Sequence, residues 1–148
     1  MDLIPSVLRM RPNYTVIGEI RRPAEVRALL EIVAVGSTGL TTFHASSLKA
    51  ALNRLLNMGF GTRQISMFKV WILVRALNRE SMVRRVIWEI CEYNGKSLVC
   101  IFKRDSNGLS MAVKPERSIV VKLTAERANM SVNEVLSVIK KKAEEYGF

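Results

Sequence analysis

Two side chains stand where a fold could put chemistry at the ends of adjacent strands. Glu19 follows Tyr14-Thr15-Val16-Ile17-Gly18, and the only histidine, His44, follows Leu40-Thr41-Thr42-Phe43. A carboxylate at the C-terminal end of a buried strand can order a water on Mg2+ or polarise an attacking water. A histidine at a neighbouring strand end can donate to a phosphate oxygen in either protonation state. Arg9, Arg11, Arg21 and Arg22 flank the first strand, and guanidinium groups suit phosphate and carboxylate. Plainer readings stand beside these. Glu19 can be a strand-end glutamate paired with Arg21 or Arg22, His44 a surface residue, and the arginines a structural ion-pair network.

The surrounding pattern says which elements must position these groups. Leu3, Ile4, Val7 and Leu8 have helical spacing before Pro12-Asn13. Tyr14 to Ile20 is a run of strand-formers, as expected of a strand buried on both faces. Pro23 suits a first helical position, and Ala24 to Val35 continues as a helix. Leu40 to Phe43 is a second short strand. Ser46 or Ser47 can cap a helix over 48–58, closed by Gly59. This strand–helix–strand–helix order predicts a parallel sheet with helical crossovers.

Beyond Gly61 the pattern changes. A short helix is predicted over 65–69, then strands over 71–77, 82–93 and 98–103, joined by turns at 78–81, Asn94-Gly95 and 105–108. From Pro115 the chain reads as helical. Ser131 and Glu134 form a capping-box pattern that opens a last helix over 132–146, with Val135, Val138 and Ile139 on one face. The predicted fold is α/β: a partial parallel sheet in residues 1–60, then an antiparallel meander with C-terminal helices in residues 61–148, packed on the same core.

Composition narrows the function classes. Apolar residues make up 49% and charged residues 24%, an ordinary balance for a globular chain and unlike that of a disordered one. No apolar run approaches the roughly 18 residues of a membrane span, and no secretory leader is visible, so a cytoplasmic location is expected. The net charge of +10 is spread over both halves of the chain. Its one dense cluster, Lys140-Lys141-Lys142, sits at a helix end that favours cations, so nucleic-acid binding is not expected. Cys91 and Cys100 lack metal-ligand spacing. Two buried free thiols are the simpler reading, and a cross-strand disulfide the alternative. Gly95-Lys96-Ser97 looks like the end of a phosphate-binding loop, but Ile90 stands where that loop needs its first glycine. Strand-like sequence lies on both sides, so a hairpin turn is expected there.

Taken together, the motifs resemble those of the hexameric ATPases of type II and type IV secretion, in the archaeal pilus and archaellum branch. Leu8-Arg9-x-Arg11-Pro12 precedes the strand, Gly18-Glu19-x-Arg21 follows it as in a Walker B box, and Thr41-Thr42-x-His44-Ala45 matches a histidine box. Asn53-Arg54-Leu55, then Arg84-Arg85-Val86 with Glu89-Ile90, then the segment Ser131 to Leu136 extend the likeness along nearly the whole chain. The resemblance implies a partial RecA-like core. It implies Glu19 and His44 as catalytic residues, with Glu19 reaching Mg2+ through water. It implies Arg9, Arg11, Gly18, Arg21 and Thr42 at the nucleotide. ATP and Mg2+ would be the cofactors of the intact motor. Other motor subunits and a membrane platform protein would be its partners, at the inner face of the membrane.

The resemblance covers only the C-terminal half of the usual motor core, without a Walker A loop. The chain alone is therefore expected to hydrolyse ATP poorly or not at all, and to need no cofactor of its own. Asn13, Arg22 and Ser37 stand where the family usually has aspartate, glycine and histidine. A non-catalytic subunit that joins intact motors is the alternative expectation. An exposed sheet edge would favour dimers or higher forms.

Overall fold

Proline at the first helical position and a glutamate three positions past the cap start the helix that organises the first half of the protein. In the computed structural model, which describes residues 4–79 and 82–147, the chain divides into two compact units, Met1–Met67 and Phe68–Phe148.

The first unit runs α1 (Ile4–Met10), β1 (Tyr14–Ile20), α2 (Pro23–Ala34), β2 (Thr38–Phe43), α3 (Leu48–Asn57) and α4 (Thr62–Ile65). β1 and β2 pair in parallel, with Tyr14 opposite Thr38 and Ile17 opposite Thr41. The register then slips, so that Ile20 meets Phe43. The Glu25 carboxylate accepts the backbone N–H groups of Arg21 (2.5 Å) and Arg22 (2.6 Å), which would otherwise be free at the start of α2. These N–H groups, Arg22 first, hold the Glu25 carboxyl below the usual range. Val26, Leu29, Leu30 and Ile32 form the buried stripe of α2. Leu29 and Val33 press on Gly39 of β2, where an added Cβ would lie 2.7 Å from each side chain.

The expectation that β1 is buried on both faces is not met. Thr15, Ile17 and Glu19 are half-buried, while Tyr14 and Val16 are 77% and 68% exposed. Leu40, opposite Val16, is 64% exposed. α2 packs on the sheet, and among the described residues of the first unit nothing closes over the face that carries Val16 and Leu40. A two-stranded sheet with one covering helix can bury only one side of each strand.

Ser47, the second of the two candidate caps, accepts the N–H of Ala50 at 3.1 Å and starts α3. Leu48, Ala51 and Leu55 are its buried stripe, and Gly59 takes the left-handed backbone that ends it. The helix expected over 65–69 instead spans Thr62–Ile65. The Gln64 side chain reaches back to the Gly61 N–H (2.9 Å) and caps the turn earlier. The Ser66 hydroxyl donates to the Thr62 carbonyl at 2.7 Å.

The second unit opens with a four-stranded antiparallel meander in the order β3 (Val70–Arg79), β4 (Met82–Tyr93), β5 (Leu98–Asp105) and β6 (Gly108–Met111). The turn expected over 78–81 lies partly outside the described residues, between the paired Arg79 and Met82. Asn94 shapes the β4–β5 turn, its side-chain oxygen accepting the N–H groups of Lys96 (2.9 Å) and Ser97 (2.8 Å). Gly95 supplies the positive φ that this turn requires, so Gly95-Lys96-Ser97 is a hairpin turn between strands. Cys91 and Cys100 are joined as a disulfide, which corrects the simpler expectation of free thiols. The hairpin register that sets them opposite one another makes the bond accessible.

A 3-10 turn (Pro115–Arg117), α5 (Ile119–Ala128) and α6 (Val132–Glu145) complete the unit. Val121, Ala125 and Val135 are the core between the two helices. Ser131 and Glu134 make the expected capping box. On the predicted face of α6, Val135 is buried, whereas Val138 and Ile139 remain about half exposed. The start of α5 is held by Glu92 of β4, 5% exposed. Its carboxylate accepts the Ser118 hydroxyl (2.6 Å) and the Ile119 N–H (2.5 Å), and Ser118 in turn accepts the Val121 N–H (3.1 Å).

Two substitutions test this packing. Gly39→Ala should destabilise the first unit by about 1–3 kcal/mol, because buried Leu29 must give way. An unchanged denaturation midpoint would contradict the close α2–β2 contact. Glu92→Ala strands a buried hydroxyl and the first N–H of α5. It should cost about 1–3 kcal/mol in chemical denaturation, with early loss of helical circular dichroism.

Candidate functional site

β1 and β2 run in the same direction, so their C-terminal ends lie together, and side chains at and just past those ends meet. Glu19 Oε2 lies 2.7 Å from Arg21 Nη2, and Glu19 Oε1 lies 3.2 Å from His44 Nε2. Both carboxylate oxygens are thus engaged. The Glu19 side chain is 23% exposed, while Arg21 and His44 project into solvent. The hydrogen bond from Arg21 holds the Glu19 carboxyl below the usual range against partial desolvation, with smaller help from the charges of Arg21, His44 and Arg54. Glu19 reciprocally raises the Arg21 guanidinium above its ordinary value.

The backbone around this acid is fixed from two sides. The Thr42 hydroxyl donates to the Gly18 carbonyl at 2.6 Å, across the stretch where the register slips. Gly18 has open space where a side chain would be. Arg54 of α3 donates from Nη1 to the His44 carbonyl (3.1 Å) and from Nη2 to the Arg21 carbonyl (3.2 Å). Its guanidinium also stacks over the Phe43 ring at 4.8 Å. One side chain therefore ties the two segments that leave the strands. Its sequence signal was its place in Asn53-Arg54-Leu55, but no spacing rule disclosed that it bridges both strand ends.

The structure brings together Glu19, Arg21, His44, Gly18 and Thr42. It does not bring Arg9 and Arg11 to them. Those two precede β1, roughly 17 Å of strand away at about 3.3 Å per residue. Among the described residues neither has an ion pair with Glu19. Arg11 has a positive φ of 47° at the end of α1. Arg22 engages Glu25, through its backbone N–H and more weakly through its charge, and not Glu19. Ser37 is buried at the other end of the sheet, its hydroxyl 3.3 Å from that of Thr15.

The donor set fits part of what a nucleotide site needs. A carboxylate oxygen suits Mg2+ through a bound water, and the guanidinium of Arg21 and the imidazole of His44 suit phosphate oxygens. A nest of backbone N–H groups leading into a helix, with its lysine, is not among the described residues of the first unit. The arrangement can therefore present an acid and a donor, but does not cradle a triphosphate.

The electrostatics have a direct test. The contribution of the Glu19–Arg21 pair to stability is present above the unfolded glutamate pKa and is lost as pH falls through the lowered folded value. In Arg21→Ala, a carboxyl-detected NMR titration should show Glu19 moving up toward the ordinary glutamate value. An unmoved Glu19 would contradict Arg21 as the main cause.

Comparison with known proteins gives these motifs a context. The family described as type II/IV secretion system protein matches residues 1–145. An uncharacterised protein of Methanocaldococcus jannaschii is 29% identical over 153 residues, covering 97% of this chain and 56% of that protein. The competence protein ComGA of Streptococcus pneumoniae is 35% identical over 65 residues, covering 44% of this chain and 21% of ComGA. The chain thus spans about half the length of the first of these relatives and less of the second. No described helix is long and apolar enough to cross a membrane. With the match running over almost every residue from the first helix to the last, the chain belongs to the type II/IV secretion system protein family.

Proposed function

We propose that this chain is the C-terminal portion of an ATPase that drives protein export or filament assembly, with Glu19 as its Walker B acid and His44 as its γ-phosphate sensor. The observation that carries this reading is the meeting of Glu19 and His44 at the ends of two parallel strands. In the intact motor, Mg2+ would polarise the phosphate oxygens. Glu19 would orient the water of its shell or the attacking water, and His44 would hold a donor toward the phosphate. Arg21 and Thr42 belong to the same edge, Arg21 as a cation for phosphate and Thr42 as the brace of Gly18. For Arg9 and Arg11 the reading requires a nucleotide contact other than the one beside Glu19. The motor acts from the cytoplasm on a membrane platform protein, with further motor subunits around it.

Hydrolysis by this chain alone is not part of the proposal, because it lacks the phosphate loop and its lysine. A second reading, a non-catalytic subunit that joins intact motors, has a specific observation in its favour. Both oxygens of Glu19 are taken by Arg21 and His44, so the acid is neutralised where it stands. The open face bearing Tyr14, Val16 and Leu40 is where such a subunit would meet others.

Calorimetric titration of the folded chain with ATP and Mg2+ tests whether the chain is inert alone: no detectable heat is expected under both readings, and one-site micromolar binding would overturn that expectation. Glu19→Gln inside a reconstituted full-length motor tests the first reading: turnover should be abolished, and retained activity would overturn the role of Glu19. Co-purification with a full-length family ATPase decides for the second reading, and a strictly monomeric, partnerless chain decides against it.

A further inference from the structure

We propose that Glu89, Cys91 and Cys100 form a binding site for one thiophilic divalent cation, of the Zn2+ or Cd2+ class, when the disulfide is reduced. The inference stands apart from the nucleotide reading and lies wholly within the second unit. Glu89 and Cys91 are two residues apart on β4 and so share one face of the sheet. Cys100 is the register partner of Cys91 on β5, and the β4–β5 pairing is bulged beside it, between Ile90 and Cys91. Bulges re-aim side chains, and this one accompanies the convergence of three ligand-bearing groups. The two sulfurs and a carboxylate oxygen all lie within 4.8 Å of one another. A tetrahedral centre with bonds of roughly 2.0–2.3 Å needs ligand atoms about 3.5–4 Å apart, a small adjustment once the sulfurs are separate.

The setting favours a soft cation. Two thiolates dominate the donor set, and a carboxylate completes three protein ligands with one position open to water. Cys91 is fully buried, while Glu89 and Cys100 are half-buried, so the site is sheltered yet approachable from one side. Among the described residues Glu89 has no ion-pair partner. Lys103, its register partner on β5, would compete for it. On the other side of β4, Trp71 is the register partner of Cys91 and Leu73 that of Glu89, so an indole reports on this row.

The redox step balances with a dithiol reductant. Its two electrons and two protons break the S–S bond and form two thiols, and the reductant closes its own disulfide. The cation then bonds both sulfurs and the carboxylate, and the two thiol protons pass to solvent. Disulfide and metal are thus alternative ties between β4 and β5 at the same place.

The test uses the full chain, reduced with a phosphine that does not compete for the metal, and titrated with Cd2+. The expected result is one equivalent bound with a thiolate-to-metal charge-transfer band and a change in tryptophan emission. The oxidised chain and Cys91→Ser/Cys100→Ser should show no band. Glu89→Gln, which leaves both thiols, should weaken binding by about tenfold or more. A reduced chain that keeps its sheet signal but binds no Cd2+ would overturn the site. So would a reduced chain that loses that signal, or a Glu89→Gln chain with unchanged affinity.

Discussion

Parallel pairing of β1 with β2 slips between Ile17 and Ile20, and the slipped stretch carries Gly18 and Glu19. An irregularity of this kind turns a side chain away from the regular alternation of a strand. Here it is pinned by the Thr42 hydroxyl on the Gly18 carbonyl, and the segments beyond are tied by Arg54 to the carbonyls of Arg21 and His44. The positions of Glu19, Arg21 and His44 all follow from that braced edge. The packing of α2 over Gly39 holds the pair of strands in register beneath it.

The same edge is electrostatically closed on itself. Glu19 is an anion kept charged by its partners, and those partners are the groups that would face a phosphate. A nucleotide brought to this site would compete with Glu19 for Arg21 and His44. Freed from them, the carboxylate could turn to a water or to hydrated Mg2+. The chain thus holds a carboxylate paired with a guanidinium and an imidazole at one sheet edge.

Local signals in the sequence were informative wherever the physics is local. Ser47, Asn94 and the Ser131–Glu134 box satisfy backbone groups within a few residues, Pro23 opens a helix where no N–H partner is needed, and Gly59 and Gly95 take positive φ, so their spacing announces them. Glu19 and His44 could be read together because both end strands joined by one helix. What the sequence did not disclose depends on distant partners. β1 has the composition of a doubly buried strand, yet burial depends on how many layers surround it, and among the described residues of the first unit α2 covers one face alone. Glu92 looks like a surface glutamate until the start of α5 is placed on it. Arg54 lies 33 residues from one of the carbonyls it ties. The disulfide was legible only as an alternative: a four-residue turn leads in regular register through Tyr93–Leu98 and Glu92–Val99 to Cys91 opposite Cys100, but cysteine spacing alone does not say that the pair is oxidised.

If the paired strand ends act as proposed, a phosphate loop supplied by another segment should be enough to make them competent. The most direct test replaces the matching segment of a full-length family ATPase with residues 1–145 of this chain and measures ATP turnover of the chimera. Turnover should persist and fall by about a hundredfold or more on Glu19→Gln, as expected when a general base is removed. A chimera that folds and binds ATP yet does not turn it over, or one whose turnover is indifferent to Glu19→Gln, would contradict the proposal.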